Sequence, residues 1–326
     1  MKLKVALVLG GGGARGLAHI GVLKALERQA IPVDLIVGTS MGAFVGGFYA
    51  AGVSVRKMEE LAGILDRTFV AKMLTPTFSS SGFVDGHRIR EYLKASIGDL
   101  TIEQLQIPFA SIATDFETGE EVVLDSGPLA DAIMASIAIP ALFKPVIRKN
   151  RYLLDGGFVN PLPVSIAHQR GADVIIAVNV ARNPSKRTHG KTRTEQDQGF
   201  RLMRTVSLLR NRLWKQTYPR VISSQNAGGP IVNMSSKEST PTGPLSPSML
   251  ESLMQSMSII ENSLIAMHLK NNEPDVLITP AVDEVDLLAF HRANELIKIG
   301  EEAGLKSLKL ITMSCEKGNA HAWKSR

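Results

Sequence analysis

The first 52 residues of the chain contain the same local pattern twice: a short apolar run, a glycine-rich turn, and a helix. In the first unit the apolar run ends at four consecutive glycines, Gly10–Gly13. In the second it ends at Gly38-Thr39-Ser40-Met41-Gly42. Repeated strand–turn–helix units are typical of a parallel α/β sheet, because each helix returns the chain for a parallel strand. The sequence therefore predicts an α/β fold.

The remaining pattern predicts further elements of the same fold and one segment of different character. We expect strands near residues 109–114, 121–124, 152–154, 174–178 and 275–278, and helices near 53–65, 86–96, 129–136, 249–269 and 289–308. Residues 183–248 are rich in Ser, Thr, Pro, Arg and Lys, which predicts a partly disordered or lid-like insertion. The predicted organisation is a catalytic core over 1–182, the insertion over 183–248, C-terminal helices and a strand over 249–310 that complete the core, and a tail over 311–326.

Charge and cysteine content limit the functional classes. The chain of 326 residues has a formal net charge of +6 and a single cysteine, so no internal disulfide is possible. No run approaches the roughly 20 apolar residues of a membrane span, and no secretory signal is recognisable. We therefore expect a soluble, cytoplasmic protein. Ten Lys or Arg residues and two acids lie between Arg182 and Lys215, a run that nucleic acid, an anionic membrane surface or simple solvation would each explain.

The strongest single motif is Gly38-x-Ser40-x-Gly42 between a predicted strand and a predicted helix. A serine on a sharp strand-to-helix turn projects its hydroxyl away from the backbone, and small flanking residues allow that turn. The helix that follows stabilises negative charge at its N-terminus. The pattern favours Ser40 as a nucleophile, and the alternative is a serine that only caps the helix.

The glycine run fits Gly11-x-Gly13-x-x-Gly16 and has three interpretations. The amides of Gly11, Gly12 and Gly13 would form an oxyanion hole beside Ser40. Alternatively the run is a dinucleotide-binding turn, for which Asp34 is the candidate ribose acid, although Asp34 begins the second strand rather than ending it. A simple tight turn is the third interpretation. Arg15 would either strengthen the positive field there or pair with a carboxylate on the surface.

A serine nucleophile needs a base, and none of the seven histidines has the expected setting in a short glycine-flanked loop after an apolar strand. His19, for example, lies on the first predicted helix. Asp155 is a better candidate, because it ends an apolar run and is followed by Gly156 and Gly157, which leave room for a substrate. Its alternative interpretation is a β-turn aspartate. Burial would raise the proton affinity of such a carboxylate enough for it to act as a base.

Four segments together resemble the patatin-like phospholipases, and within them the bacterial and neuropathy-target-esterase-like branch. These segments are Gly11-Gly12-Gly13-Ala14-Arg15-Gly16, Gly38-Thr39-Ser40-Met41-Gly42, Ala135-Ser136-Ile137-Ala138-Ile139-Pro140 and Asp155-Gly156-Gly157-x-x-Asn160-Pro161. The resemblance covers roughly residues 4–181. It implies a three-layer α/β/α sandwich with a mostly parallel central sheet.

The resemblance also implies a function. Ser40 would be the nucleophile, Asp155 the base without a histidine, and Gly11–Gly13 the oxyanion hole, with Arg15, Gly16, Gly38, Gly42, Gly156 and Gly157 in support. The substrate would be a phospholipid or lysophospholipid ester, with no metal or organic cofactor and no nucleic-acid partner. Three alternatives stay open: a lipid acyltransferase that uses the same dyad, a dinucleotide-binding oxidoreductase, and a non-catalytic scaffold.

The basic insertion contains a candidate amphipathic helix over residues 200–218. Leu202, Val206, Leu209 and Leu213 fall on one helical face, and most of its arginines fall elsewhere. Such a helix is expected either to lie on an anionic membrane or to pack on the core as a lid. The sequence gives no indication of the oligomeric state.

Overall fold

The computed structural model describes residues 3–65, 86–140, 142–182 and 249–316, with side chains in the last range described from 252 to 309. Two compact units are present, one formed by Met1–Thr192 with Gln255–Arg326 and the other by Arg193–Met254. The second unit lies almost wholly outside the described residues, and so do the predicted insertion over 183–248, its amphipathic helix and the loop predicted around residues 75–82.

Eight strands and eight α-helices are present in the described part of the chain. The strands are β1 (Val5–Leu9), β2 (Leu35–Thr39), β3 (Phe109–Asp115), β4 (Glu121–Leu124), β5 (Val146–Arg148), β6 (Arg151–Asp155), β7 (Val174–Val178) and β8 (Val276–Ile278). The helices are α1 (Ala18–Arg28), α2 (Met41–Ala50), α3 (Val55–Gly63), α4 (His87–Ile97), α5 (Leu129–Ser136), α6 (Val164–Gln169), α7 (Met249–Asn271) and α8 (Ala293–Glu316). Short 3-10 helices cover Gly13–Leu17, Ile102–Gln104, Gly156–Phe158 and Phe290–Arg292.

The strands form one sheet in the order β5-β6-β3-β2-β1-β7-β8, with β4 also paired to β3. Pairing is parallel from β3 through β2, β1 and β7 to β8, whereas β4 and β6 run antiparallel to β3 and β5 antiparallel to β6. The predicted α/β class with a mostly parallel sheet is confirmed.

Helices cover both faces of this sheet, because strand residues alternate between two apolar clusters. Leu7 and Leu9 of β1 pack in a cluster with α1, α2, α5 and α8. Ala6 and Val8, the alternate residues of the same strand, pack in a second cluster with α6. The first unit is thus the three-layer sandwich that the resemblance implied.

The register of β3 explains how two distant residues meet. Thr39, the last residue of β2, pairs with Ile112, and Asp155, the last residue of β6, pairs with the next residue, Ala113. The ends of β2 and β6 therefore lie at consecutive positions along β3. Ser40 directly follows Thr39, so the sheet itself brings Ser40 close to Asp155.

Two elements and one boundary differ from the sequence prediction. β5 and α6 were not predicted, and α8 continues to Glu316, past residue 310 where we expected a tail to begin. β5 has only three residues, which is too few for a periodic signal, and α6 has six. Within the described ranges, no helix is both long and apolar enough to span a bilayer.

Candidate active site

Ser40 lies on the turn between β2 and α2 in an unusual backbone conformation. Its φ is 53° and its ψ is −121°, a region that residues with a side chain rarely occupy. Its amide donates to Ser136 Oγ at 2.9 Å, and the Ser136 hydroxyl donates to the Ile112 carbonyl at 2.6 Å. These hydrogen bonds hold the turn in place, and the Ser40 side chain remains 5% exposed.

Glycine is required on both sides of this turn. A Cβ on Gly38 would lie 2.5 Å from the Gly42 carbonyl oxygen, and a Cβ on Gly42 would overlap the Leu9 carbonyl group of β1. A Cβ on Gly16 would likewise overlap the Met41 side chain. These supporting glycines therefore allow close packing of the backbone around Ser40.

Asp155 is fully buried and in direct contact with the serine. Ser40 Oγ donates to Asp155 Oδ2 at 2.6 Å, and the Gly157 amide donates to Asp155 Oδ1 at 2.8 Å. Burial raises the pKa of Asp155 to about 7, although the hydrogen bonds from Ser40 and Gly157 oppose that change. A carboxylate with such a pKa is a much stronger base than an aspartate in water.

The segment after Asp155 connects the site to both glycine-containing turns. Thr39 Oγ1 donates to the Asn160 carbonyl at 2.8 Å, and the Gly11 amide donates to the Pro161 carbonyl at 2.9 Å. The Asn160 side chain in turn donates to Glu121 at 2.7 Å. These bonds give a physical reason for the Asn160-Pro161 part of the motif.

The glycine run differs from the predicted oxyanion hole at one position. Since the Gly11 amide is bonded to Pro161, it is not available to an oxyanion, and the prediction for Gly11 as a donor is wrong. The amides of Gly12 and Gly13 have no hydrogen-bond acceptor among the residues that the structure describes. Gly11 borders the nucleophile, because a Cβ there would lie 3.5 Å from Ser40 Cβ, an ordinary contact distance.

Arg15 is buried rather than on the surface. Its side chain belongs to the 3-10 helix Gly13–Leu17 and is 3% exposed, so the predicted surface pairing is excluded. Burial lowers its pKa, and the nearby Glu261 carboxyl group opposes that effect. A buried guanidinium keeps its charge, so Arg15 adds positive potential inside the molecule.

Gly157 does not leave the open space that the sequence suggested. Glu261 Oε1 lies 2.7 Å from the position of a Cβ on Gly157, and Asp155 Oδ1 lies 3.1 Å from it. Gly156 is equally enclosed, because a Cβ there would overlap the Ile112 carbonyl. The two glycines therefore make room for protein atoms, including the carboxyl group of Glu261 on α7.

Asp34, the candidate ribose acid of a dinucleotide site, and His19, one of the histidines considered as a base, both have structural roles. Asp34 Oδ2 accepts a hydrogen bond from the Val5 amide at 3.0 Å, at the start of β1 and β2, whereas the glycine run follows the end of β1. A nucleotide on that run would be out of reach of Asp34. His19 Nε2 lies 2.8 Å from the Gly10 carbonyl oxygen, and burial lowers its pKa to about 4, so it is a neutral donor that anchors the glycine loop.

An apolar cavity opens beside Ser40. Its volume is about 140 Å³, and its walls include Leu17, Phe44, Ile139 and Phe143. Phe44 stacks on Phe48 with ring centroids 4.8 Å apart, which fixes this wall. A cavity of this character next to a nucleophile suits a hydrocarbon chain. No cluster of His, Cys, Asp or Glu within the described ranges is arranged to hold a metal ion.

Sequence reasoning missed the roles of Ser136, His19 and Glu261. Ser136 lies in a motif that was noticed only through the resemblance, and its partner, the Ser40 amide, is 96 positions away. Glu261 is a single acid within a long helix and has no local signal. Such contacts depend on tertiary packing and cannot be read from spacing.

Comparison with known proteins connects this geometry to a family. A family model described as patatin-like phospholipase matches residues 7–168. An uncharacterized NTE family protein of Mycobacterium tuberculosis is 31% identical over 345 residues, which covers 97% of this chain and 94% of that protein. Lysophospholipase NTE1 of Kluyveromyces lactis is 38% identical over 181 residues, which covers 54% of this chain and 12% of that protein. Among solved structures, VipD from Legionella pneumophila aligns over 95% of this chain and 67% of its own at 15% identity, with a TM-score of 0.45.

The chain belongs to the patatin-like phospholipase family, and it is a lipid ester hydrolase of that type. Its similarity over nearly the full length is to proteins that carry the NTE family name. The resemblance inferred from four short motifs is therefore confirmed. Longer relatives such as the mouse patatin-like phospholipase domain-containing protein 6 share only a segment, because the alignment covers 13% of that protein.

Proposed function

We propose that this protein cleaves carboxylic ester bonds of phospholipids or lysophospholipids through an acyl-enzyme on Ser40, with Asp155 as the only base. The observation that carries the proposal is the 2.6 Å hydrogen bond from Ser40 Oγ to the buried Asp155 Oδ2. The adjacent apolar cavity supports an acyl chain as the bound group, and relatives named lysophospholipases support the substrate class.

Acylation would proceed as follows. Asp155 takes the hydroxyl proton while Ser40 Oγ bonds to the ester carbonyl carbon, and the amides of Gly12 and Gly13 donate to the carbonyl oxygen as it becomes negative. The carbon–oxygen bond to the leaving alcohol then breaks. Asp155 returns the proton to the leaving oxygen. The alcohol therefore departs with a neutral hydroxyl group, and the acyl group stays on Ser40.

Deacylation would use the same groups in reverse order. Water gives a proton to Asp155 and bonds to the acyl carbon, and the bond from that carbon to Ser40 Oγ breaks. The proton returns to Ser40, and a free fatty acid leaves. Asp155 is fully buried, which keeps bulk water away from it and preserves its basicity between the two steps.

A panel of phospholipids and lysophospholipids would test this function, with released fatty acid measured by mass spectrometry. Wild type is expected to release fatty acid, and Ser40→Ala is expected to lose about 10⁴-fold or more in kcat. Ser111→Ala is the matched control, because Ser111 is a buried serine of the same sheet whose hydroxyl donates to the Ala132 carbonyl at 3.3 Å. Full activity in a correctly folded Ser40→Ala protein would overturn the proposal.

Peripheral contact with an anionic membrane is a separate proposal that rests on residues 199–218 of the sequence. Vesicle flotation with a variant that lacks those residues would test it. Reduced binding to anionic vesicles is expected, and unchanged binding would rule the contact out.

A further inference from the structure

A second carboxyl group lies against the catalytic pair, and the mechanism above does not use it. Glu261, in the middle of α7, is 5% exposed. Its Oε1 atom lies 2.7 Å from the position of a Cβ on Gly157 and 3.9 Å from the position of a Cβ on Gly11. The Gly157 amide is bonded to Asp155, and Gly11 borders Ser40. Glu261 is thus a neighbour of Asp155 and of the glycine that borders Ser40.

The absence of a side chain at Gly157 is what lets Glu261 come so close. A Cβ at Gly157 would be within 3.1 Å of both Asp155 Oδ1 and Glu261 Oε1, a distance at which atoms must move apart. The Asp155-Gly156-Gly157 sequence therefore keeps two buried carboxyl groups side by side. Buried acids are costly unless they are paired or neutral, so this arrangement requires a compensating role.

The charged groups around Glu261 define its electrostatics. Asp155 faces it from the end of β6, and Arg15 faces it from the 3-10 helix Gly13–Leu17. Arg15 in turn is near Arg182, Asp286 and Asp283. Burial and the neighbouring Asp155 raise the pKa of Glu261 to about 7, and Arg15 opposes this increase. Two adjacent carboxyl groups that titrate in one range influence each other, since the second cannot ionise freely beside the first.

We propose that Glu261 is a positioning residue that acts through Asp155: its carboxylate, held across Gly157, makes Asp155 a stronger base for Ser40. The inference rests on the proposed role of Asp155 in the dyad. Arg15 favours the charged form of Glu261. Because the repulsion between two neighbouring carboxylates is mutual, the charge on Glu261 binds the Asp155 proton more tightly, while the hydrogen bond to Ser40 stays intact. Glu261 touches no reacting atom in this scheme.

The pH profile of ester hydrolysis by Glu261→Gln tests the role, because this change keeps the shape of the side chain and removes its charge. The acid limb of kcat/KM is expected to move about one pH unit lower, and the high-pH plateau of kcat to fall roughly 3–10-fold, with KM within about twofold of wild type. Glu261→Asp keeps the charge and is expected to restore most of the wild-type limb. Glu302→Gln, on the exposed face of α8, is the matched control and should leave the profile unchanged.

The outcomes separate this inference from the proposed function. If wild type is active, Ser40→Ala is inactive and folded Glu261→Gln keeps the wild-type acid limb, the role of Glu261 is wrong and the dyad stands. If Ser40→Ala is active, the proposed function itself fails. A measurement on wild type covers the case in which Glu261→Gln does not fold: two interacting ionisations are expected in kcat/KM between about pH 5 and 9, and a single ionisation would overturn the role.

Discussion

Two aspartates end neighbouring antiparallel strands of this sheet and have opposite properties. Asp115 ends β3 and accepts hydrogen bonds from the amides of Glu117 and Thr118, with Arg151 3.5 Å away. These donors, with the Thr118 amide foremost, lower the pKa of Asp115. Asp155 ends β6 and receives two hydrogen bonds from the residues that the structure describes, and its burial raises its pKa to about 7.

The difference shows that an acid at the end of an apolar strand is not by itself a catalytic signal. Asp115 has three donors that stabilise its charge, which makes it a structural cap and a poor base. Asp155 has one fixed amide donor and a serine hydroxyl, so most of the cost of burying its charge is uncompensated. A proton from Ser40 relieves that cost, which is why the second environment suits a general base.

Asparagine substitution at each aspartate should give the largest contrast. Asp155→Asn is expected to lower kcat by roughly 10³–10⁵-fold, because Asn cannot accept the Ser40 proton. Asp115→Asn should leave kcat within about threefold of wild type, because Asp115 does not contact the serine. Steady-state hydrolysis of a lysophospholipid checks both variants. Similar losses in the two folded variants would remove the distinction between the two environments.

The pH dependence of kcat/KM in the wild-type protein should show a smaller but diagnostic effect. Because the base must be ionised, kcat/KM is expected to rise with pH through about 7, and to fall roughly tenfold per unit well below that value. The Asp115→Asn profile should coincide with it. An acid limb centred near pH 4 would mean that burial does not raise the pKa of the base.

The pH dependence of thermal stability should also distinguish the two aspartates, although this is the smallest of the expected effects. The Asp155 pKa in the folded protein lies above its ordinary value of 3.8, so its contribution to stability is fully present below about pH 4 and is lost as pH rises through about 7. Asp155→Asn should therefore raise Tm at pH 8, by roughly 5 °C, and have little effect at pH 4.

Asp115 should behave in the opposite way, because its pKa is lowered. Its contribution is present above its ordinary pKa and is lost as pH falls below that value, so Asp115→Asn should lower Tm at pH 8. Thermal unfolding followed by circular dichroism at pH 4 and pH 8 measures both signs. The same sign of change at pH 8 in both variants would contradict the proposed difference in environment.

The sequence predicted the middle of the sheet well because β1 and β7 are uninterrupted apolar runs. β4 and β7 and the helix α5 have the bounds that the pattern predicted, and the positions of Ser40 and Asp155 at strand ends were also foreseen. The contact between those two residues depends on the register of β3, which no local pattern contains. The local pattern made Asp155 a candidate base, and the resemblance to a family implied that the two residues meet.

Other parts of the site could not be predicted for the same reason. The bond that occupies the Gly11 amide comes from Pro161, 150 positions later, and the acid beside Asp155 comes from α7, beyond the insertion. Three consecutive glycines look alike in sequence, and only the neighbouring chain decides which amides remain available. The family of the protein was thus easier to predict than the detailed composition of its oxyanion hole.

Trapping the covalent intermediate tests the central claim most directly. Wild type would be mixed with a slowly deacylated p-nitrophenyl ester of a fatty acid, quenched in acid, digested and analysed by mass spectrometry. One acyl group is expected on the peptide that contains Ser40, and none in Ser40→Ala. An acyl group on another residue, or turnover by wild type in which no acyl-enzyme accumulates even under single-turnover conditions, would contradict the central claim.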